Sequence, residues 1–238
     1  LLYFVLLKKP AQLFPNHSVV VKSEVQHEKL TKLLRRIFSS RQAWSLFFCH
    51  FGLVGAYVGF ISSWAVPYGM NLYEMSRSGA SQLIMVGLIG ALIGAPLMSW
   101  IAGRLETIKR PYMIVHVIVL LGWSCFLLFN GVPPFWLVIL LFFIVGFGYG
   151  ASALTFAAVR RSFPIIDSGI VSGFANTGGF LSAVLLPLIF GAVLDYFQST
   201  TGNIVNGYYY GFITPVVFSI IGLIGVFYLQ EQQQQAEQ

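Results

Sequence analysis

Charge is what this sequence has least of. Of 238 residues only 9% are Asp, Glu, Lys or Arg, against roughly a quarter in an average soluble domain. The few charges are also clustered, which leaves charge-free runs at 42–73, 78–103, 111–159, 168–194 and 196–230. Each run exceeds the roughly 20 apolar residues that carry a helix across a bilayer core of about 30 Å. With 57% hydrophobic residues overall, a soluble globular domain is excluded and a polytopic membrane protein is indicated. Cysteine is scarce as well. Cys49 and Cys125 both sit inside apolar runs, where a thiol behaves as a small hydrophobe, and they offer neither metal-ligand spacing nor a disulfide framework. No metal-ligand cluster, serine–histidine pair or glycine–serine nucleophile motif is present, so no enzyme activity and no cofactor are expected. No run carries an acidic or basic residue near its centre, which leaves mid-membrane carboxylate coupling without a candidate. The net charge of +6 does not imply nucleic acid, since that partner needs a basic face on a soluble module.

What is present is a set of six spans. The turn signal Asn130 to Pro134, NGVPP, divides the longest run in two. The spans then fall near 44–70, 81–103, 112–130, 134–158, 169–195 and 208–229. Residues 1–7 form an apolar lead that spans only about 10 Å and reads as the end of a truncated helix; a signal peptide would carry charge before its apolar stretch. Thirteen of the fourteen Lys and Arg fall in segments on one side: eight within 8–43, then Arg104, Lys109 and Arg110, then Arg160 and Arg161. The other side has Arg77 alone. The positive-inside rule puts the basic side, the 8–43 loop and the Gln-rich tail 230–238 in the cytoplasm. That tail reads as a solvated end without chemistry.

Within 8–43, Ser23 to Phe38 reads as an amphipathic helix. Ser23 and Gln26 form a capping box, and Leu30, Leu33, Leu34, Ile37 and Phe38 share one face, with Lys29, Lys32, Arg35 and Arg36 outside it. Such a helix lies either on an anionic leaflet or in solvent as a linker. Asn16-His17-Ser18 has the form of a glycosylation acceptor, but on the cytoplasmic side it should be unused.

The first span carries most of the functional signal. At about 100° per residue, His50, Tyr57, Trp64, Tyr68 and Asn71 share a face, while Gly52, Gly55, Gly59, Ser62 and Ser63 gather opposite them. Small residues let helices approach closely in lipid. The span therefore offers one side to a neighbouring helix and an aromatic, polar side to a cavity, although Trp64, Tyr68 and Asn71 also suit an interfacial belt. Pro67 invites a break nearby. His50 and His116 read as satisfied helix-end histidines. In the fourth span, Tyr149 and Ser152 lie close to Gly146 and Gly150. The fifth span opens with the capping residues Asp167 and Ser168. It carries a stripe of small residues through Asn176 to Gly191, and Asn176-Thr177-Gly178-Gly179, a poor helix former, reads as irregular backbone lining a cavity. Asn176 bonds either a substrate or another helix.

Two stretches resemble a known family. GRLETIKRP, Gly103 to Pro111, resembles the basic loop motif of the major facilitator superfamily, with Arg104, Lys109 and Arg110 at its basic positions and Gly103 where the motif has aspartate. SGFANTGGF, Ser172 to Phe180, with the later LDYF, resembles that family's eleventh helix. The resemblance implies an all-α six-helix bundle of two inverted three-helix repeats, helices seven to twelve of a secondary transporter in the plasma or bacterial inner membrane. It also implies a small organic solute, a missing N-terminal six-helix half and surrounding lipid as partners. Tyr57, Trp64, Tyr68, Asn71, Tyr149 and Asn176 become the expected substrate-binding residues, and Arg104, Lys109 and Arg110 the expected gating loop. A receptor or scaffold that keeps the fold is the competing class.

Overall fold

The computed structural model describes residues 30–231. The truncated helix at 1–7, the capping box at Ser23, the triplet at Asn16 and the tail beyond Glu231 lie outside the described residues. Of the segment before Arg35, only Leu30–Leu34 is described, as the opening of the helix Leu30–Phe38.

Every regular element among the described residues is a helix. Six are long and apolar enough to cross a membrane: Arg41–Ser63, Arg77–Arg104, Lys109–Leu128, Phe135–Ser162, Ile165–Thr201 and Ile204–Tyr228. The turn between the third and fourth falls where the sequence places it, with Asn130 at φ 51° and Gly131 at φ 82°. Asn and Gly enter this left-handed region most readily. One end of the bundle joins the start of the first span to the ends of the fourth and sixth, because the Gln42 amide donates to Ser162 Oγ and to the Gln230 carbonyl. At the opposite end the Tyr68 and Tyr73 hydroxyls donate to the carbonyls of Gly131 and Pro133. The second span packs along the fourth, and the fifth along the first. Exchanging two three-helix triplets interconverts these two pairings.

Without water to expel, close packing holds such helices together, and glycine sets the distance. Between the second and fourth spans, Gly90 and Gly94 meet the backbone of Phe143 and Phe147, and Gly146 meets that of Gly87. Between the first and fifth, Gly55 meets Ser182 and Gly178 meets the Phe47 carbonyl. Gly52 turns instead to the sixth span at Gly222, and Ser62 and Ser63 are exposed. The small face therefore serves two neighbours rather than one. An aromatic cluster fills the end away from Arg104 and Arg161: Phe60, Trp123, Phe126, Phe190 and Phe212 are buried together, with Phe126 and Phe212 stacked at 4.3 Å.

Three local expectations change. Asn176-Thr177-Gly178-Gly179 lies inside an unbroken helix. Backbone groups in hydrocarbon must bond internally, and the two glycines let Phe47, His50 and Val54 come close. The fifth span begins at Ile165, and Asp167, in its first turn, accepts from Arg36 at 2.7 Å rather than capping the helix. The first span is not one regular helix. A π-helical turn, Phe51–Gly55, follows His50; the second interruption, at Trp64, is the break expected near Pro67, which provides no N–H for the carbonyl four residues earlier and whose ring crowds that carbonyl.

Candidate functional site

The π turn decides where the polar side chains of the first span go. Within it the Phe51 carbonyl accepts from Ser182 Oγ at 2.8 Å. Side chains after the turn are displaced around the axis relative to those before it. His50 and Tyr57 consequently join two separate clusters, roughly 10 Å apart along the helix.

At the first cluster a chain of hydrogen bonds crosses four spans. The Asn176 Oδ1 lies 3.1 Å from His50 Nε2, His50 Nδ1 lies 3.2 Å from Thr155 Oγ1, and Thr155 Oγ1 lies 2.6 Å from the Tyr112 hydroxyl. Thr155 and Tyr112 are fully buried and His50 is nearly so. Asn176 is half-buried beside the exposed residues Gly173, Thr177 and Phe180. His50 is thus a satisfied histidine at the end of its α-helical segment, as expected, and it is also the junction of the network. His116 lies next to it, its ring 4.9 Å from that of Tyr112. It is buried, and neither ring nitrogen has a partner among the described residues.

At the second cluster Tyr57 stacks on Tyr149 at 4.8 Å and 19°. The Tyr57 hydroxyl is buried and has no hydrogen bond among the described residues. It lies against Gly87, where an added Cβ would come within 2.8 Å of it. Tyr149 is half-buried.

The remaining aromatic candidates lie toward the opposite end from Arg104, Arg110 and Arg161. Trp64 Nε1 donates to the Pro187 carbonyl at 3.3 Å, and its ring stacks on Phe190. Tyr68 is fully buried and bonded to Gly131. The exposed Asn71 donates to the Tyr208 hydroxyl at 3.1 Å. Of the six candidates, the structure brings Tyr57 and Tyr149 into contact, places Asn176 in the histidine network, and groups Trp64, Tyr68 and Asn71 apart from both.

The three basic loop residues diverge. The Arg104 guanidinium lies over the Trp100 ring at 5.3 Å. The Lys109 ammonium donates to the Phe227 carbonyl at 2.8 Å. Arg110 lines a cavity of about 780 Å³ with Glu106, Arg161, Ser162 and Glu231. Glu231, expected to be part of a solvated tail, caps the third span. Its Oε1 accepts from the Thr107 hydroxyl and from the backbone N–H of Ile108 and Lys109. Burial alone would raise its carboxyl pKa, but these hydrogen bonds and the nearby Arg161 charge outweigh it and hold the group below its usual range. Among the described residues no three His, Cys, Asp or Glu side chains are grouped to hold a metal.

Sequence reasoning missed Thr155, Tyr112 and Ser182. Lone hydroxyls in otherwise apolar spans were the available signal, because such groups hydrogen-bond across helices in lipid.

Six apolar spans, with polar side chains bonded from one span to another, define a multi-pass membrane protein. The chain belongs to the Major Facilitator Superfamily, whose family model matches residues 1–187. It is 26% identical over 168 residues to the probable galactarate/D-glucarate transporter GudP of Escherichia coli K12, a match covering 63% of this chain and 36% of that protein. It is 24% identical over 192 residues to the protein of the same description from Bacillus subtilis 168, covering 77% of this chain and 41% of the relative. The chain thus spans less than half the length of either relative.

Proposed function

We propose that this chain is the C-terminal half of a secondary transporter that moves a small organic solute by alternating access against an N-terminal six-helix half. The solute class we favour is a sugar-derived organic acid, the class that the names of the two relatives give. Tyr57, Tyr149 and Asn176 make the substrate face; Trp64, Tyr68 and Asn71 support the same span toward its far end. Arg104, Lys109 and Arg110 border the cytoplasmic gate, and the protein sits in the plasma or bacterial inner membrane with its basic end inward. The observation that carries this reading is Tyr57, its ring stacked on Tyr149 and its hydroxyl buried mid-span with no hydrogen-bond partner among the described residues. A group that costs free energy when left unpaired is kept where a polar solute would supply the missing bond.

The test is uptake of labelled galactarate and D-glucarate by the chain co-reconstituted with its complementary half. Tyr57→Ala is expected to lower uptake at least tenfold, and Leu53→Ala, at equal expression, much less. Equal uptake by both variants would reduce the aromatic pair to packing. Orientation has its own readout: a cysteine replacing Ser162 should react in intact cells only with membrane-permeant reagents, and one replacing Thr200 with impermeant ones. Reversed labelling would overturn the orientation.

A further inference from the structure

The hydrogen-bond chain through His50 has a direction, and the direction fixes what Asn176 offers to a ligand. The Tyr112 hydroxyl carries one proton, and its one hydrogen bond among the described residues is to Thr155. If Tyr112 donates, Thr155 Oγ1 accepts and passes its own proton to His50 Nδ1. The ring is then protonated at Nε2, which donates to Asn176 Oδ1. Every buried proton in the chain has an acceptor. Reversed, His50 Nδ1–H donates to Thr155 and Thr155 to Tyr112, and the Tyr112 proton is left buried without an acceptor. That arrangement also requires the Asn176 amide to turn its nitrogen toward His50. A doubly protonated ring would be a cation inside the bilayer, and the described carboxylates, Glu74, Glu106, Asp167, Asp195 and Glu231, all stand beyond the ends of spans or within two turns of them. Such an uncompensated charge is disfavoured.

We infer that Tyr112, Thr155 and His50 are positioning residues that hold the Asn176 amide with its oxygen turned inward and its NH2 turned to the uncovered side of the fifth span. Asn176 Nδ2 makes no hydrogen bond among the described residues, and the neighbouring Gly173, Thr177 and Phe180 are exposed. The outward group is therefore a donor, and it selects a solute that presents an acceptor oxygen there, a carboxylate above all. This last step rests on the transporter reading; the direction of the chain does not.

Two measurements separate them. In the chain labelled with 15N-histidine and placed in lipid nanodiscs, the His50 signals are expected to report a neutral ring protonated at Nε2. They are assigned by their loss in His50→Gln or, should that variant not fold, by their shift in Thr155→Ser. Tyr112→Phe removes the leading donor and should mix the two tautomers, whereas Tyr208→Phe, at the far end, should not. A ring protonated at Nδ1, or a His50 signal indifferent to Tyr112→Phe, overturns the directed chain. In the second measurement, Asn176→Asp replaces the outward donor with an acceptor, and binding of galactarate by the chain with its complementary half should weaken at least tenfold. If His50 carries its proton on Nε2 and Asn176→Asp still binds galactarate as the parent does, the chain is directed but the solute does not use its end.

Discussion

The first and second spans are both long apolar helices, and they sit in the bundle in opposite ways. The most apolar stretch of the first is 78% buried and that of the second only 22%. Yet the first is the less apolar of the two, and it carries His50 and Tyr57, whereas the second exposes Met85, Leu92 and Trp100. In water the ranking would be reversed. Lipid is as good a neighbour for Leu as protein is, so apolar side chains have no reason to turn inward, while polar ones must find partners among other helices. Burial in this chain follows polarity and close backbone approach.

The sharpest way to break that comparison is to enlarge one glycine on each kind of surface. At Gly55 an added side chain runs into Ser182, both its hydroxyl and its backbone. Gly55→Leu should therefore cost about 3 kcal/mol or more and collapse the yield of folded protein in detergent. At Gly173 nothing lies within 4 Å, and Gly173→Leu should leave the folding of this chain unchanged. Comparable yields of the two, by size-exclusion chromatography at matched expression, would show that glycine contacts do not set the packing.

A finer contrast lies between two tyrosines on either side of the break at Trp64. Tyr68 and Tyr57 are both buried aromatics, but the Tyr68 hydroxyl donates to the Gly131 carbonyl at 2.9 Å, and the Tyr57 hydroxyl has no hydrogen bond among the described residues. Tyr68→Phe leaves a buried carbonyl short of a donor, a loss of about 1–3 kcal/mol. Tyr57→Phe should be neutral or slightly stabilising. Thermal unfolding in one detergent would decide it, and equal losses would mean that the Tyr57 hydroxyl is bonded after all.

The fold was legible because it depends on composition and spacing. The apolar runs marked six spans, and Asn130-Gly131 marked the turn between the third and fourth. The site was legible only in part. Tyr57, Tyr149 and Asn176 stand out as polar groups in apolar runs, but a helical wheel assumes a constant step. The π turn at Phe51–Gly55 breaks that step between His50 and Tyr57, so the single face expected from His50 to Asn71 becomes three clusters. Thr155 and Tyr112 escaped because their importance comes from what stands opposite them: Thr155 is 105 residues from His50 and 43 residues from Tyr112 in sequence. The fifth span shows the converse. Asn176-Thr177-Gly178-Gly179 is locally a poor helix, and the requirement for internal hydrogen bonding overrides that propensity.

The smallest expected effect lies outside the apolar part altogether, where charge and solvent return. The third span starts without a capping side chain of its own, leaving donors at its N-terminus unsatisfied. Glu231, from beyond the sixth span, accepts from the backbone N–H of Ile108 and Lys109 and from the Thr107 hydroxyl, and its negative charge suits the positive end of the helix. Those bonds and Arg161 hold its carboxyl below the ordinary value of 4.5 despite its partial burial. A carboxyl with a lowered folded-state pKa stabilises fully above the unfolded value and loses that contribution as pH falls through the folded one. The chain should therefore lose stability below about pH 4.5 faster than Glu231→Gln, which keeps an acceptor oxygen but has no charge to lose. At pH 7 the variant should be slightly the less stable. Because the group is mostly solvated, added salt should narrow the gap by screening Arg161 and the helix end, while the hydrogen bonds persist. Thermal unfolding of both proteins from pH 7 to pH 3.5, at low and high salt, reads all three. Parallel pH curves would show that the sixth span's end does not hold the third by charge.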